Sequence, residues 1–236
     1  MALLADSLRS ALLLIVAFDH ELVMIVGCSL YVSGMATLLA SVIGLPLGFV
    51  IALTSFPGKR LTITCLNTLL ALPTVVIGLL VYSFISRKGI FGSLDLLYTQ
   101  TAMIIGQVIL IVPVVATLTI AAINRIDKRY RLTALTLGAN RYQMAWVIFR
   151  EARFGVIAAI IAAFGRVIAE IGISMMLGGN AKGFTRTMTT AMALEYDKGE
   201  FILAVALGFI LMGFAFGINL LFHLLQGQTS SDAVSN

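Results

Sequence analysis

Long apolar runs separated by short polar breaks set the plan of this chain. Residues 22–56, 61–86, 99–123, 154–177 and 201–226 are each apolar enough to cross a hydrocarbon core, which takes about 20 helical residues. The pattern predicts an all-α membrane protein with five transmembrane helices and no soluble domain. The first run exceeds one membrane thickness, so it is expected to tilt, or to bend near Gly44–Pro46–Gly48. Pro73 and Pro113 fall inside the second and third runs, where each removes a backbone hydrogen bond and permits a bend. Residues 11–18 are an apolar run far shorter than the roughly 20 residues a crossing needs. The expected division is therefore an interfacial helix over 1–21, a five-span domain over 22–227 and a disordered polar tail over 228–236.

The polar breaks carry the orientation. Between residues 124 and 153, Arg125, Lys128, Arg129, Arg131, Arg141, Arg150 and Arg153 stand against only two acids, Asp127 and Glu151. Such an excess of Lys and Arg marks the cytoplasmic side. The turn Pro57-Gly58-Lys59-Arg60 belongs to the same side, and 87–98 and 178–200 become outer segments. The N-terminus is then outside and the C-terminus cytoplasmic.

Composition agrees: 60% of residues are hydrophobic and 11% charged, against roughly 25% charged in soluble domains. The net charge of +5 is a topological signal rather than one for nucleic acid, because so much of it sits in one loop. Cys28 and Cys65 fall near opposite faces of the membrane, so no disulfide joins them on this topology. No cleavable leader is evident, since no charged segment precedes the first apolar run in the usual way. No phosphate-binding loop, zinc-protease helix or serine-hydrolase elbow is present, so no catalytic residue is assigned. Energy must come from a partner or a gradient. His20 and His223 are isolated near span ends and read as interfacial packing, not metal ligands.

Two places could carry chemistry. In the fourth run, Arg166 lies near mid-membrane and Glu170 follows four residues later, on the same helical face. A charge at that depth costs several kcal/mol and normally faces a bundle interior or a water-filled path. Either the two border an anion's route, or they form an ion pair that locks this helix to a neighbour. With Ser174, and with Pro73 and Thr74 of the second run, they make the candidate translocation path. Gly178, Gly179, Asn180 and Thr187 form a candidate outer mouth, where backbone N–H groups meet an oxyanion or simply end a helix. Ala158, Ala162, Gly165, Ala169 and Gly172 leave room for another backbone to pack closely.

The second place is the basic loop itself. Residues 132–137 have helical spacing, Gly138 sits where a helix end wants positive φ, and 140–149 resume a helical pattern. A helix, a glycine turn and a second helix on the cytosolic face form a shape that docks onto a soluble partner. Ala134, Gly138 and Ile148 resemble the cytoplasmic coupling loop of ABC importer permeases, whose pattern is E-A-A, three residues, Gly, nine residues, I-x-L-P. Leu132, Thr133 and Arg150–Glu151 depart from it, and the missing glutamate removes one contact with an ATPase. The resemblance implies that Thr133, Ala134, Leu137, Gly138, Ala139 and Arg141 couple to that ATPase.

Further runs extend the resemblance over residues 25–226. Leu70-Ala71-Leu72-Pro73-Thr74-Val75-Val76-Ile77-Gly78-Leu79 is similar to a second-span segment of molybdate- and tungstate-type permeases. The stretches 112–117 and 163–172 continue it, and 178–190 looks closest to the tungstate branch. The family implies the type I ABC importer permease fold, a homodimer, two cytoplasmic ABC ATPase subunits and an extracytoplasmic oxyanion-binding protein. It also implies that ATP and Mg²⁺ belong to the ATPase, so that this chain binds no cofactor, and that the cell (inner) membrane is its place. Tungstate is the expected cargo, with molybdate as the alternative. A gradient-driven carrier and a membrane scaffold that only recruits partners are the competing classes.

Overall fold

The computed structural model describes residues 13, 15–17 and 19–232. Among them are nine α-helices, one short 3-10 turn and no strand. The expected interfacial helix falls largely outside the described residues.

The first long helix, α1 (His20–Leu53), starts because the Asp19 carboxylate accepts from the Glu21 and Leu22 N–H groups. Its 34 residues run on through Pro46 as one continuous helix. Packing supports it along its length. α1 lies along α4 (Gln100–Asn124), and Val32, Ala36 and Ala40 share one buried core with Leu110, Ile111 and Val115. Ala36, Ala40, Gly44 and Gly48 recur every four residues on that seam and let the two backbones approach. A Cβ on Gly48 would stand 2.7 Å from the Ala116 carbonyl oxygen. α4 is likewise unbroken around buried Pro113 and forms the centre of the bundle.

The second and fourth runs are each split in two. α2 (Lys59–Leu70) and α3 (Thr74–Ile85) meet at 96°, and α6 (Arg141–Ile168) and α7 (Gly172–Gly178) at 60°. Pro73 explains the first elbow, since it donates no hydrogen bond and drives the residue before it out of helical geometry. The second elbow is held by hydrogen bonds to its freed groups. The Thr189 hydroxyl donates to the Glu170 carbonyl at 2.8 Å, and the Glu170 carboxylate accepts from the Ile173 N–H at 3.2 Å. By length and composition α1, α4 and the last helix, α9 (Phe201–Asp232), can each cross a membrane, and each broken pair supplies one more crossing, up to five.

Two boundaries differ from the sequence pattern. α6 begins in the basic loop, so the second half of that loop and the fourth span are one helix of 28 residues. α9 continues to Asp232, past the expected start of the tail; residues 233–236 lie outside the described part. Between the loop's ends sits α5 (Lys128–Thr136), and α8 (Met188–Lys198) lies between the fourth and fifth spans.

Candidate functional site

The two elbows face each other. α3 and α7 pack so closely that a Cβ on Gly172 would lie 2.9 Å from the Thr74 hydroxyl oxygen, and one on Gly78 would lie 2.9 Å from the Met176 sulfur. Here Pro73 is exposed and Thr74 half-buried. Arg166, near the end of α6, reaches across and donates from Nη2 to the Leu70 carbonyl oxygen at 3.3 Å. That carbonyl ends α2, where helical acceptors lack partners. Four of the five expected path residues therefore meet at one place.

The expected Arg166–Glu170 pair does not form. α6 ends at Ile168, so the helical register that would align the two side chains is lost at Ala169. Glu170 is buried and caps α7, whereas the Arg166 side chain is exposed on the subunit surface. Ser174, the fifth path residue, is buried away from the elbow and accepts from Gln107 Nε2 at 3.3 Å. The other Gln107 side-chain atom, Oε1, is buried without a partner among the described residues.

The outer segment is more tightly built than its polar composition implies. Gly178 packs under Met103, and Gly179 and Asn180 have φ of +66° and +52°, which turns the chain out of α7. Thr187 is not a free donor at a mouth. It is the N-cap of α8, with its hydroxyl accepting from the Thr190 N–H, and it is buried with Thr185, Thr189 and Thr190. Ser29 of α1 accepts from the Met188 N–H at 2.7 Å and fastens α8 to the bundle.

Beside it lies an ion-pair network absent from the sequence reading. Arg186 Nη1 stands 3.4 Å from Glu21 and 3.9 Å from Glu195, while Lys182 and Lys198 pair with Glu21 and Glu195 at 2.7 and 3.0 Å. Glu195 is only 3% exposed. Its position in an amphipathic stretch was a signal for burial on one face, but its partner 165 residues from Glu21 was not findable from spacing.

The basic loop has the expected form. α5 ends at Thr136, Gly138 takes φ +82°, and Asn140 with Gln143 forms a reciprocal cap that starts α6. Thr133, Leu137, Gly138 and Arg141 are exposed and Ala139 is half-buried. Ala134 is buried against Met144, Ile148 and Ala152, so it holds the two helices together. Leu132, Leu137, Tyr142 and Trp146 add exposed apolar surface. The Glu151 carboxylate lies beside Tyr130 and, by repelling the phenolate form, pushes its phenol above the ordinary value.

Between α6 and α9 runs a groove of about 650 Å³, walled by Ala158, Ala162, Gly165 and Ala169 on one side and by Gly208 and Ala215 on the other. The small-residue face of the fourth span thus remains open within one subunit. No cluster of metal-ligating side chains occurs among the described residues.

Comparisons with known proteins agree with this architecture. Residues 44–230 match the family described as binding-protein-dependent transport system inner membrane component. The chain is 36% identical over 228 residues to the tungstate uptake system permease protein of Peptoclostridium acidaminophilum, covering 97% of this chain and 100% of that one. It is 38% identical over 213 residues to a probable anion ABC transporter permease protein of Haloferax volcanii, covering 88% and 92%. Among solved structures, that of an amino acid ABC transporter with histidines superposes with a TM-score of 0.69 at 17% identity, over 92% of this chain and 97% of that one. The chain belongs to the binding-protein-dependent transport system inner membrane component family, and its fold is that of ABC importer permeases.

Proposed function

We propose that this chain is the membrane-spanning subunit of an ATP-driven importer of a tetrahedral oxyanion, and that the oxyanion is tungstate. The observation that carries the reading is Arg166. Its guanidinium is exposed within an otherwise apolar span, donates to one carbonyl and has no carboxylate partner among the described residues. A charge placed there costs several kcal/mol against lipid, so it faces water or a second subunit. A planar, permanently charged fork suits a multivalent oxyanion. The 36% identity to a tungstate permease along nearly the full length supports the choice of cargo.

The remaining parts follow the same reading. Two copies pack with the open small-residue groove between α6 and α9 at their interface. Two ABC ATPase subunits, which hold ATP and Mg²⁺, dock on the exposed faces of Leu137, Gly138 and Arg141. A binding protein delivers the anion to the outer face, which carries the N-terminus, while the C-terminus is cytoplasmic. Arg166 draws the anion between the two elbows, and closure of the ATPase pair moves α6.

The test is uptake of tungstate into vesicles holding the permease, its ATPase and its binding protein. Wild type should accumulate tungstate only with ATP. Arg166→Ala should lose uptake while still assembling, and Gly138→Pro should insert normally but lose ATP-dependent uptake. Accumulation without ATP, or normal ATP-driven uptake by Gly138→Pro, would refute the reading.

A further inference from the structure

The inner half of the second span, α2, has three distinct sides. Leu66 is its one buried residue, packed against Ile51 of α1 and Ala116 and Ile120 of α4. At 3.6 residues per turn, Leu61, Cys65 and Leu69 form a second side, apolar and exposed. Arg60, Thr64, Asn67 and Thr68 form a third, polar and exposed, running from the cytosolic turn up to the elbow.

We infer that the polar side of α2 lines the cytosolic end of the oxyanion route, between Arg166 at the elbow and Arg60 at the mouth. The inference rests on the permease reading. Arg166 bonds to Leu70, the last residue of α2, so the polar side begins where the guanidinium is anchored. With the elbow at 96°, α2 and α3 cannot both stand along the membrane normal.

The hydrogen bonding along this side suits passage rather than capture. Thr64 donates its hydroxyl proton to the Arg60 carbonyl at 3.0 Å, and Thr68 donates its own to the Thr64 carbonyl at 2.9 Å. Both hydroxyls therefore turn only lone pairs outward and offer an anion nothing to bind. The Asn67 amide makes no hydrogen bond among the described residues, so it is left to water or to the anion. One neutral donor between two guanidinium groups lets an anion move on, as conduction through a series of weak sites requires.

The test uses the full importer in vesicles, with Cys28→Ser throughout. Single cysteines at Thr64→Cys, Thr68→Cys and Leu69→Cys, each with Cys65→Ser, are compared with native Cys65. A charged, membrane-impermeant methanethiosulfonate supplied on the cytosolic side should modify positions 64 and 68 about tenfold faster than 65 and 69, because an apolar setting suppresses the thiolate. Tungstate present during turnover should slow modification at 64 and 68. Asn67→Asp should reduce maximal uptake about tenfold by repelling the dianion, with Asn67→Gln near wild type and ATPase binding unchanged in both. Equal rates at all positions would overturn the inference. So would fast rates at 64 and 68 that ignore tungstate, together with normal uptake by Asn67→Asp, because the polar side would then face lipid headgroups. Wild-type uptake alongside either result would show that only the route is wrong. Absence of oxyanion uptake by wild type would refute the permease reading and this inference with it.

Discussion

The seam between α1 and α4 gives a prediction with its own internal control. α1 carries Gly27 and Gly34, where an added Cβ meets nothing within 4 Å, and Gly44 and Gly48, where it meets the neighbouring helix. At Gly48 the added carbon would lie 2.7 Å from the Ala116 carbonyl oxygen and 2.8 Å from the Thr119 Cβ; at Gly44 it would lie 2.9 Å from the Val115 Cβ and 3.1 Å from the Val112 carbonyl oxygen. None of these atoms can rotate aside, since each is backbone or the first carbon of a side chain on a rigid helix. Replacing glycine by alanine inside a helix gains roughly 0.5–1 kcal/mol from the backbone. Overpacking costs about 1–3 kcal/mol. Gly34→Ala should therefore stabilise by roughly 0.5–1 kcal/mol, and Gly48→Ala should destabilise by about 1–2 kcal/mol net. For a chain of this size 1 kcal/mol shifts Tm by about 2–4 °C. The variants should thus move in opposite directions when the detergent-solubilised permease is melted and followed by fluorescence of its single tryptophan, Trp146. A Gly48→Ala protein as stable as Gly34→Ala would refute the close approach of the two helices.

Three further outcomes are expected. Glu195→Ala takes one of two carboxylate partners from buried Arg186, which keeps Glu21, and should cost about 1–3 kcal/mol, read as a lowered melting temperature, with Arg186→Gln added in the same chain recovering part of the loss. Ser29→Ala removes the acceptor for the Met188 N–H and should destabilise by about 1–3 kcal/mol, with faster amide exchange across the start of α8. Leu137→Glu changes a side chain that is 82% exposed, so it should leave Tm unchanged while weakening ATPase capture in a pull-down.

The sequence made the spans and the cytoplasmic loop legible because their signals are local. Apolar runs, an excess of arginine and a glycine between two helical patterns each act within a few residues, and Gly138 stands in the left-handed conformation that its place demanded. The elbows were legible only in part. Pro73 announces one, but the break after Ile168 has no proline and depends on Thr189, a side chain 19 residues from the carbonyl it bonds. For that reason the helical spacing of Arg166 and Glu170 pointed to a pair that tertiary hydrogen bonding abolishes. Thr187 misled in the opposite way: a threonine in a polar segment looks solvated, and here it caps a helix inside the bundle. Arg186 and Glu195 escaped notice because charges in an outer loop ordinarily lie in water, and nothing local to either residue shows that they meet.

The continuity of α6 has a mechanical consequence. A helix of 28 residues is about 42 Å long at 1.5 Å per residue. It has Arg141 at one end, in the basic loop, and Arg166 within a turn of the other. No joint lies between them, so the shaft behaves as a stiff lever rather than a chain of contacts. A tilt of about 10° around the loop end would carry the far end through about 7 Å, far more than the 3.3 Å that separates Arg166 from the Leu70 carbonyl. A small push at the cytosolic end would therefore be enough to pull the guanidinium off the inner half of the second span, and a return stroke of the same size would put it back.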